Sequence, residues 1–213
     1  MMLSVIIAAG GTGNRFGGKM PKQFLELDDG VPMIVKSMMP FNGIADNFII
    51  SVNSLYRDYC KKILPSNLLS RTIIVDGGET RYESVKNALR ALPSQTDMVA
   101  IHDAARPYVD VELIRKALEM AMQKGAVVPV IPIVDSIRKI DDSGRSVACD
   151  RKHYVVVQTP QIFSKDILVK SYDRPYVSSF TDDASVVESA GYQIYTSEGD
   201  VKNIKVTFPS DID

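Results

Sequence analysis

LSVIIAAGGTG, residues 3–13, decides the fold class. The apolar run, rich in Val and Ile, reads as a short strand buried on both faces. Gly10, Gly11 and Gly13 then let the backbone turn tightly and aim several N–H groups at one point, which suits phosphate oxygens. No basic segment precedes the run, so it reads as a first strand and not as a signal peptide.

Working outward, similar short strands are expected at Leu3–Ala8, Phe48–Val52, Thr72–Val75, Met98–His102 and Ala126–Ile131. Helices alternate with them. Val85, Ala88, Leu89 and Leu92 form one apolar stripe within Ser84–Leu92; Leu113, Ile114, Ala117, Leu118 and Ala121 form another within Val111–Lys124. Alternating strand and helix predicts an α/β, Rossmann-like, open and mostly parallel sheet flanked by helices. Such sheets bind ligands beyond the carboxyl ends of their strands. Residues 135–157 break the pattern: the turn signal Asp141-Asp-Ser-Gly144 lies between two β-capable arms. A protruding hairpin is expected there, packed against a second subunit because an isolated hairpin is marginal in water. Pro209 with Ser210 or Asp211 reads as a helix entry. The reading is one domain, 1–213, carrying an inserted arm.

Composition narrows the class. The 213 residues hold 25 Lys and Arg against 26 Asp and Glu, a net charge of −1, which gives no electrostatic reason to expect nucleic acid or an anionic membrane. No apolar run approaches the roughly 20 residues of a membrane span. Cys60 and Cys149 make no disulfide framework, and two histidines exclude a His-rich zinc site. A cytoplasmic enzyme is expected.

Four polar groups sit where the rule places ligands. The glycine loop continues as NRFGGKMPKQF to Phe24. It nearly fits a Walker A loop, but Met20 stands where Ser or Thr must hold magnesium; it nearly fits a dinucleotide fingerprint, but Phe16 stands where a small residue belongs. What remains is a glycine loop with Arg15 and Lys22, which favours triphosphate binding over a turn with solvated cations. Gly77-Gly-Glu-Thr-Arg-Tyr-Glu-Ser84 can expose backbone groups to a base edge and add a hydroxyl, or can be a loop with a helix cap. In His102-Asp-Ala-Ala-Arg-Pro107, Asp103 is placed to hold a divalent cation and Arg106 to fork a phosphate; the bland alternative is an Asp–Arg pair holding a turn. His102 reads as a structural donor with no partner to orient it. QTPQIF (158–163), TDDA (181–184) and NIKVT (203–207) fit a polyol and phosphate pocket, or turn and cap chemistry with Thr181 as an N-cap.

Together these motifs resemble the 2-C-methyl-D-erythritol 4-phosphate cytidylyltransferases of the non-mevalonate isoprenoid pathway. The resemblance covers essentially the whole chain in order: AGGTGNRFG, PKQF, GGETRYESV, HDAARP, the DSIRK hairpin, DR…QTPQIF, TDDAS and EGDVKNIKVT. It implies a nucleotidyltransferase-type fold and a homodimer whose sites are completed by the partner's arm. Ribitol-5-phosphate cytidylyltransferases look similar but tend to read HDSVRP, so HDAARP favours methylerythritol phosphate. The resemblance puts Ala9, Gly10, Gly11, Gly13, Gly78, Glu79, Ser84 and Ala104 around CTP. It makes Arg15, Lys22 and Lys205 stabilisers of charge at the α-phosphate and sets Asp103 beside magnesium and substrate. Arg106, Thr159 and Thr181 would line the sugar-phosphate side, and Ser136 and Arg151 would reach the substrate of a neighbouring subunit. Family members usually carry Thr at the position of Ser136 and a further C-terminal helix. A nicotinamide-dependent reductase and a catalytically silent nucleotide-sugar sensor are the alternatives from other classes.

Overall fold

A computed structural model describes residues 1–11 and 20–211. Along these residues run β1 (Leu3–Ala9), α1 (Met33–Met38), β2 (Asn47–Val52), α2 (Arg57–Ile63), α3 (Ser66–Leu69) and β3 (Thr72–Asp76). Then come α4 (Arg81–Arg90), β4 (Met98–Asp103), α5 (Val111–Lys124), β5 (Ala126–Pro132), β6 (Arg138–Ile140) and β7 (Ser146–Ala148). The last are β8 (Val155–Val157), β9 (Gln161–Ser164), α6 (Lys165–Tyr172), α7 (Asp183–Ser189) and β10 (Tyr195–Glu198).

The main sheet has the order β10-β5-β9-β4-β1-β2-β3, with β8 paired to the far end of β5. β1–β2, β1–β4, β2–β3 and β5–β10 are parallel. Strand β9 runs antiparallel to both β4 and β5, so the sheet is mixed although mostly parallel. The expected polar island QTPQIF is therefore in part a central strand, with Ile162 and Phe163 wholly buried.

The strands read as continuous apolar runs because helices cover both faces. Leu3, Val5 and Ile7 of β1 join Phe48 and Ile50 of β2 in a core beneath α1 and α5. The intervening Ile6 and Ile49 join a second core with Val85, Ala88, Leu168 and Val187 from α4, α6 and α7. Side chains alternate along a strand, so β1 and β2 each feed both cores. Helix α5 matches its expected span: Asp110 caps its start by accepting from the Glu112 N–H, and Gly125, at φ +86°, ends it in a left-handed turn. Helix α4 starts three residues earlier than the apolar stripe predicts and stops at Arg90, because a capping box between Thr80 and Glu83 nucleates it upstream.

The arm is a hairpin of β6 and β7 closed at Asp141–Gly144; Asp141 Oδ1 accepts from the Ser143 and Arg145 N–H groups. It is shorter than the expected 135–157, since Val155–Val157 leaves it to pair with Val130–Pro132 of β5. At the other end of the chain, the helix entry at Pro209 forms a single 3-10 turn, Pro209–Asp211.

Candidate active site

β4, β1, β2 and β3 are consecutive in the sheet, and the polar motifs follow the ends of β1, β3 and β4. They enclose a cavity of about 490 Å³ lined by Ala9, Gly10, Gly11, Lys22, Gly78, Glu79, Arg81, Ser84, Asp103, Ala104 and Lys205, among others. Chain segments more than 190 residues apart thus meet in one hollow, as the carboxyl-end rule requires.

The glycines let backbone close on backbone. A Cβ on Gly10 would stand 2.9 Å from Ser84 Oγ, and one on Gly78 would stand 2.2 Å from Glu83 Cβ. Gln23, a buried residue the motif reading passed over, staples the loop by donating from Nε2 to the carbonyls of Ala9 (2.7 Å) and Gly11 (3.0 Å). Ser84 Oγ donates to the Thr80 carbonyl at 2.9 Å and accepts from the Gly78 N–H at 3.0 Å. Its proton is committed to the loop, so what it offers a ligand is a remaining lone pair.

Asp103 is the electrostatic centre. It ends β4 and is buried, with Lys205 Nζ 2.7 Å from Oδ2, Arg81 Nη2 3.5 Å from Oδ1 and Arg106 Nε 3.9 Å from Oδ2. Burial by itself would raise its pKa; Arg81, Lys205 and Arg106 outweigh burial and hold the carboxyl well below the usual carboxylate range. Asp103 is therefore ionised at neutral pH. Lys22, set by Pro21 at the start of a short 3-10 turn, donates from Nζ to the Val206 carbonyl at 2.5 Å. The Val206 N–H bonds back to the Ala105 carbonyl, so the strap 205–207 closes the cavity on the side of β4.

His102, wholly buried, does have orienting partners. Its Nε2 lies 3.1 Å from the Arg106 carbonyl and its Nδ1 3.0 Å from Thr159 Oγ1. Thr159 Oγ1 accepts from the Asp103 N–H, so its hydroxyl proton points to His102 Nδ1 and the imidazole proton sits on Nε2. Burial pushes the imidazole pKa down to about 4, which keeps it neutral.

The expected site residues fall into five groups. Ala9, Gly10, Gly11, Lys22, Gly78, Glu79, Ser84, Asp103, Ala104 and Lys205 share the cavity. Arg106 and Thr159, expected on the sugar-phosphate side, are buried beside Asp103. Arg106 donates from Nη1 to the Asn203 carbonyl at 2.6 Å, and Thr159 Oγ1 bonds His102 Nδ1 and the Asp103 N–H. Thr181 is exposed ahead of α7, where Asp182 and not Thr181 is the N-cap. Ser136 and Arg151 line a separate hollow at the base of the arm, and the Arg151 guanidinium donates to the Val134 carbonyl. Gly13 and Arg15 lie outside the described residues. The motif reading missed Arg81, which pairs with Asp183 at 2.6 Å, although Arg81 stood inside the quoted GGETRYES.

A glycine-lined hollow at the carboxyl ends of a mostly parallel sheet, lined by Lys22 and by Lys205 paired with the ionised Asp103, suits a nucleotide triphosphate, and the enzyme is a nucleotidyltransferase. Residues 3–213 match the family model of 2-C-methyl-D-erythritol 4-phosphate cytidylyltransferase, IspD, and the chain belongs to that family. The protein of that name from Bacteroides thetaiotaomicron is 40% identical over 215 residues, covering 100% of this chain and 97% of its own. The crystal structure of the Thermus thermophilus enzyme superposes with a TM-score of 0.81 at 28% identity, over 100% of this chain and 96% of that one. The 4-diphosphocytidyl-2C-methyl-D-erythritol synthase structure from Anaerococcus prevotii gives 0.84 at 26%, over 99% and 94%. The chain is accordingly a cytidylyltransferase of isoprenoid biosynthesis using CTP and methylerythritol phosphate, and the ribitol phosphate alternative is not favoured. Among the described residues, no helix is long and apolar enough to cross a membrane.

Proposed function

We propose that CTP occupies the 490 Å³ cavity with its triphosphate against the glycine loop, and that Lys22 and Lys205 act on the charge that shifts during transfer. The observation that carries this is the convergence of Lys22, Lys205 and Asp103 on the loop after β1. In the reaction, a phosphate oxygen of methylerythritol 4-phosphate attacks the α-phosphorus of CTP. The new P–O bond forms as the bond to the β-phosphate breaks, and pyrophosphate leaves with that electron pair. The acceptor is already mostly dianionic at neutral pH, its second pKa being about 6, so no general base is needed. His102, buried and neutral, supplies none. The physical task is to bring two anions in line and to stabilise charge growing on the leaving group. Fixed cations and backbone N–H groups do both. Arg15 is assigned to the same charge.

A divalent cation, magnesium by this reading, fits Asp103. Among the described residues no cluster of three or more His, Cys, Asp or Glu could hold a metal by itself. One ionised carboxylate facing a triphosphate suits an ion that takes most of its oxygens from substrate. Bound there, magnesium would neutralise phosphate charge. Arg106 and Thr159 serve the acceptor side by fixing Asp103, with Thr181 at the rim. A homodimer in which Ser136 and Arg151 reach the neighbouring site is supported by apolar side chains left exposed along the arm and β8: Val134, Ile140, Val147 and Val155. Free thiols at Cys60 and Cys149 support a cytoplasmic home.

The test is pyrophosphate release with CTP and magnesium, offering methylerythritol 4-phosphate and ribitol 5-phosphate in parallel. Strong preference for the first is expected. Preference for the second would keep the CTP site and overturn the acceptor.

A further inference from the structure

Asp183 is wholly buried, although it opens a helix. A buried carboxylate is costly unless paired, and both of its oxygens are. Oδ2 receives Arg81 Nη2 at 2.6 Å and Oδ1 receives the Tyr172 hydroxyl at 2.6 Å. Its backbone is fixed by the capping box of Asp182 with Ser185. Gln161 adds a bridge, donating to Asp182 Oδ2 at 2.7 Å and accepting from the Ala184 N–H at 2.9 Å. Tyr172 is fixed in turn by stacking on Tyr82, 4.8 Å between ring centroids, and Tyr82 donates to the Tyr172 carbonyl. Tyr82 follows Arg81 in α4, so three helices and a strand converge on one guanidinium. The same Arg81 nitrogen stands 3.5 Å from Asp103 Oδ1, inside the cavity.

One arginine nitrogen is thus shared between a nearer buried acid and a farther acid that faces the cavity. Asp103 already has Lys205 at 2.7 Å. If nothing balanced Arg81, its full charge would also turn to Asp103, and both carboxylate oxygens would be taken up by protein cations. We propose that Asp183, braced by Tyr172, is a positioning residue for the reaction: it anchors Arg81 so that an oxygen of Asp103 stays available to the substrate side. The inference rests on the reading of Asp103 as a substrate-facing carboxylate.

The test is steady-state pyrophosphate release by Asp183→Asn, Arg81→Gln and the double variant, with thermal midpoints measured alongside. Asp183→Asn is expected to lose about tenfold in kcat, with the KM for CTP little changed. In the Arg81→Gln background the same change should cost less than about twofold, because the residue through which it acts is gone. A merely structural Asp183 would lower the midpoint and leave kcat of the folded enzyme unchanged. Equal losses in both backgrounds, or wild-type kcat in Asp183→Asn, overturn the proposal. Tyr172→Phe removes one hydroxyl and keeps the ring stack; it should lower kcat in the same way, again only when Arg81 is present, and it decides the question if Asp183→Asn does not fold. Asp103→Asn is the control. Full turnover by that variant would overturn the reading of Asp103 itself, whereas its inactivity beside a normal Asp183→Asn would overturn the positioning role alone.

Discussion

Lys22 and His102 have opposite relations to charge. Lys22 brings its ammonium to the lining of the cavity, where it also donates to the Val206 carbonyl. Lys22→Ala should therefore lose about 10²–10³ in kcat with the fold intact, the usual effect of deleting one preorganised charge. Turnover within a few-fold of wild type would remove Lys22 from the mechanism. His102 is stabilising because it is neutral. Its folded pKa of about 4 lies below the ordinary value of 6.5, so the unfolded chain binds the proton more readily. Its contribution is complete above about pH 6.5 and is lost as pH falls toward about 4, on the order of 3 kcal/mol in all. Urea midpoints measured across that window should fall, and His102→Asn should flatten the limb. Asp103 is also depressed, but its loss belongs below about pH 4, so the two limbs separate.

At the scale of elements, the start of α4 couples stability to the site. The capping box sets the helix, Ser84 one turn in ties back to Gly78, and Gly78 has no room for a side chain. Gly78→Ala places a Cβ against Glu83, close to its main chain, so the whole first turn must shift. A loss of about 1–3 kcal/mol in stability is expected, together with a raised KM for CTP. Wild-type values of both would show that the loop accommodates the methyl group. Strand β9 has a comparable double role. Its antiparallel insertion seats Ile162 and Phe163 in the two cores, and Gln161 beside them reaches the cap of α7.

For the whole molecule, the arm is the part the core does not need. β6 and β7 pair with each other and not with the main sheet. Replacing residues 138–148 by a short Gly-Ser connection should leave the thermal midpoint within about 4 °C, under ~1 kcal/mol. The same deletion should convert a dimer to a monomer by light scattering and abolish turnover if the arm completes a neighbouring site. A monomeric wild-type protein of full activity would refute the shared site.

The strand-helix alternation and the glycine loop were legible in the chain because each rests on local chemistry: apolar runs between turns, and residues without a Cβ. The shortened arm and the antiparallel β9 were not, since strand pairing is settled by partners distant in sequence. The same division runs through the site. Lys22, Asp103 and Lys205 could be named from ordered motifs. That Arg106, Thr159 and His102 stand beside Asp103, and that Arg81 belongs as much to Asp183 as to the cavity, required the tertiary structure. A motif records which groups are present, but hydrogen-bond commitment depends on which groups the packed sheet brings within about 3 Å, and it leaves each with only the capacity not already used.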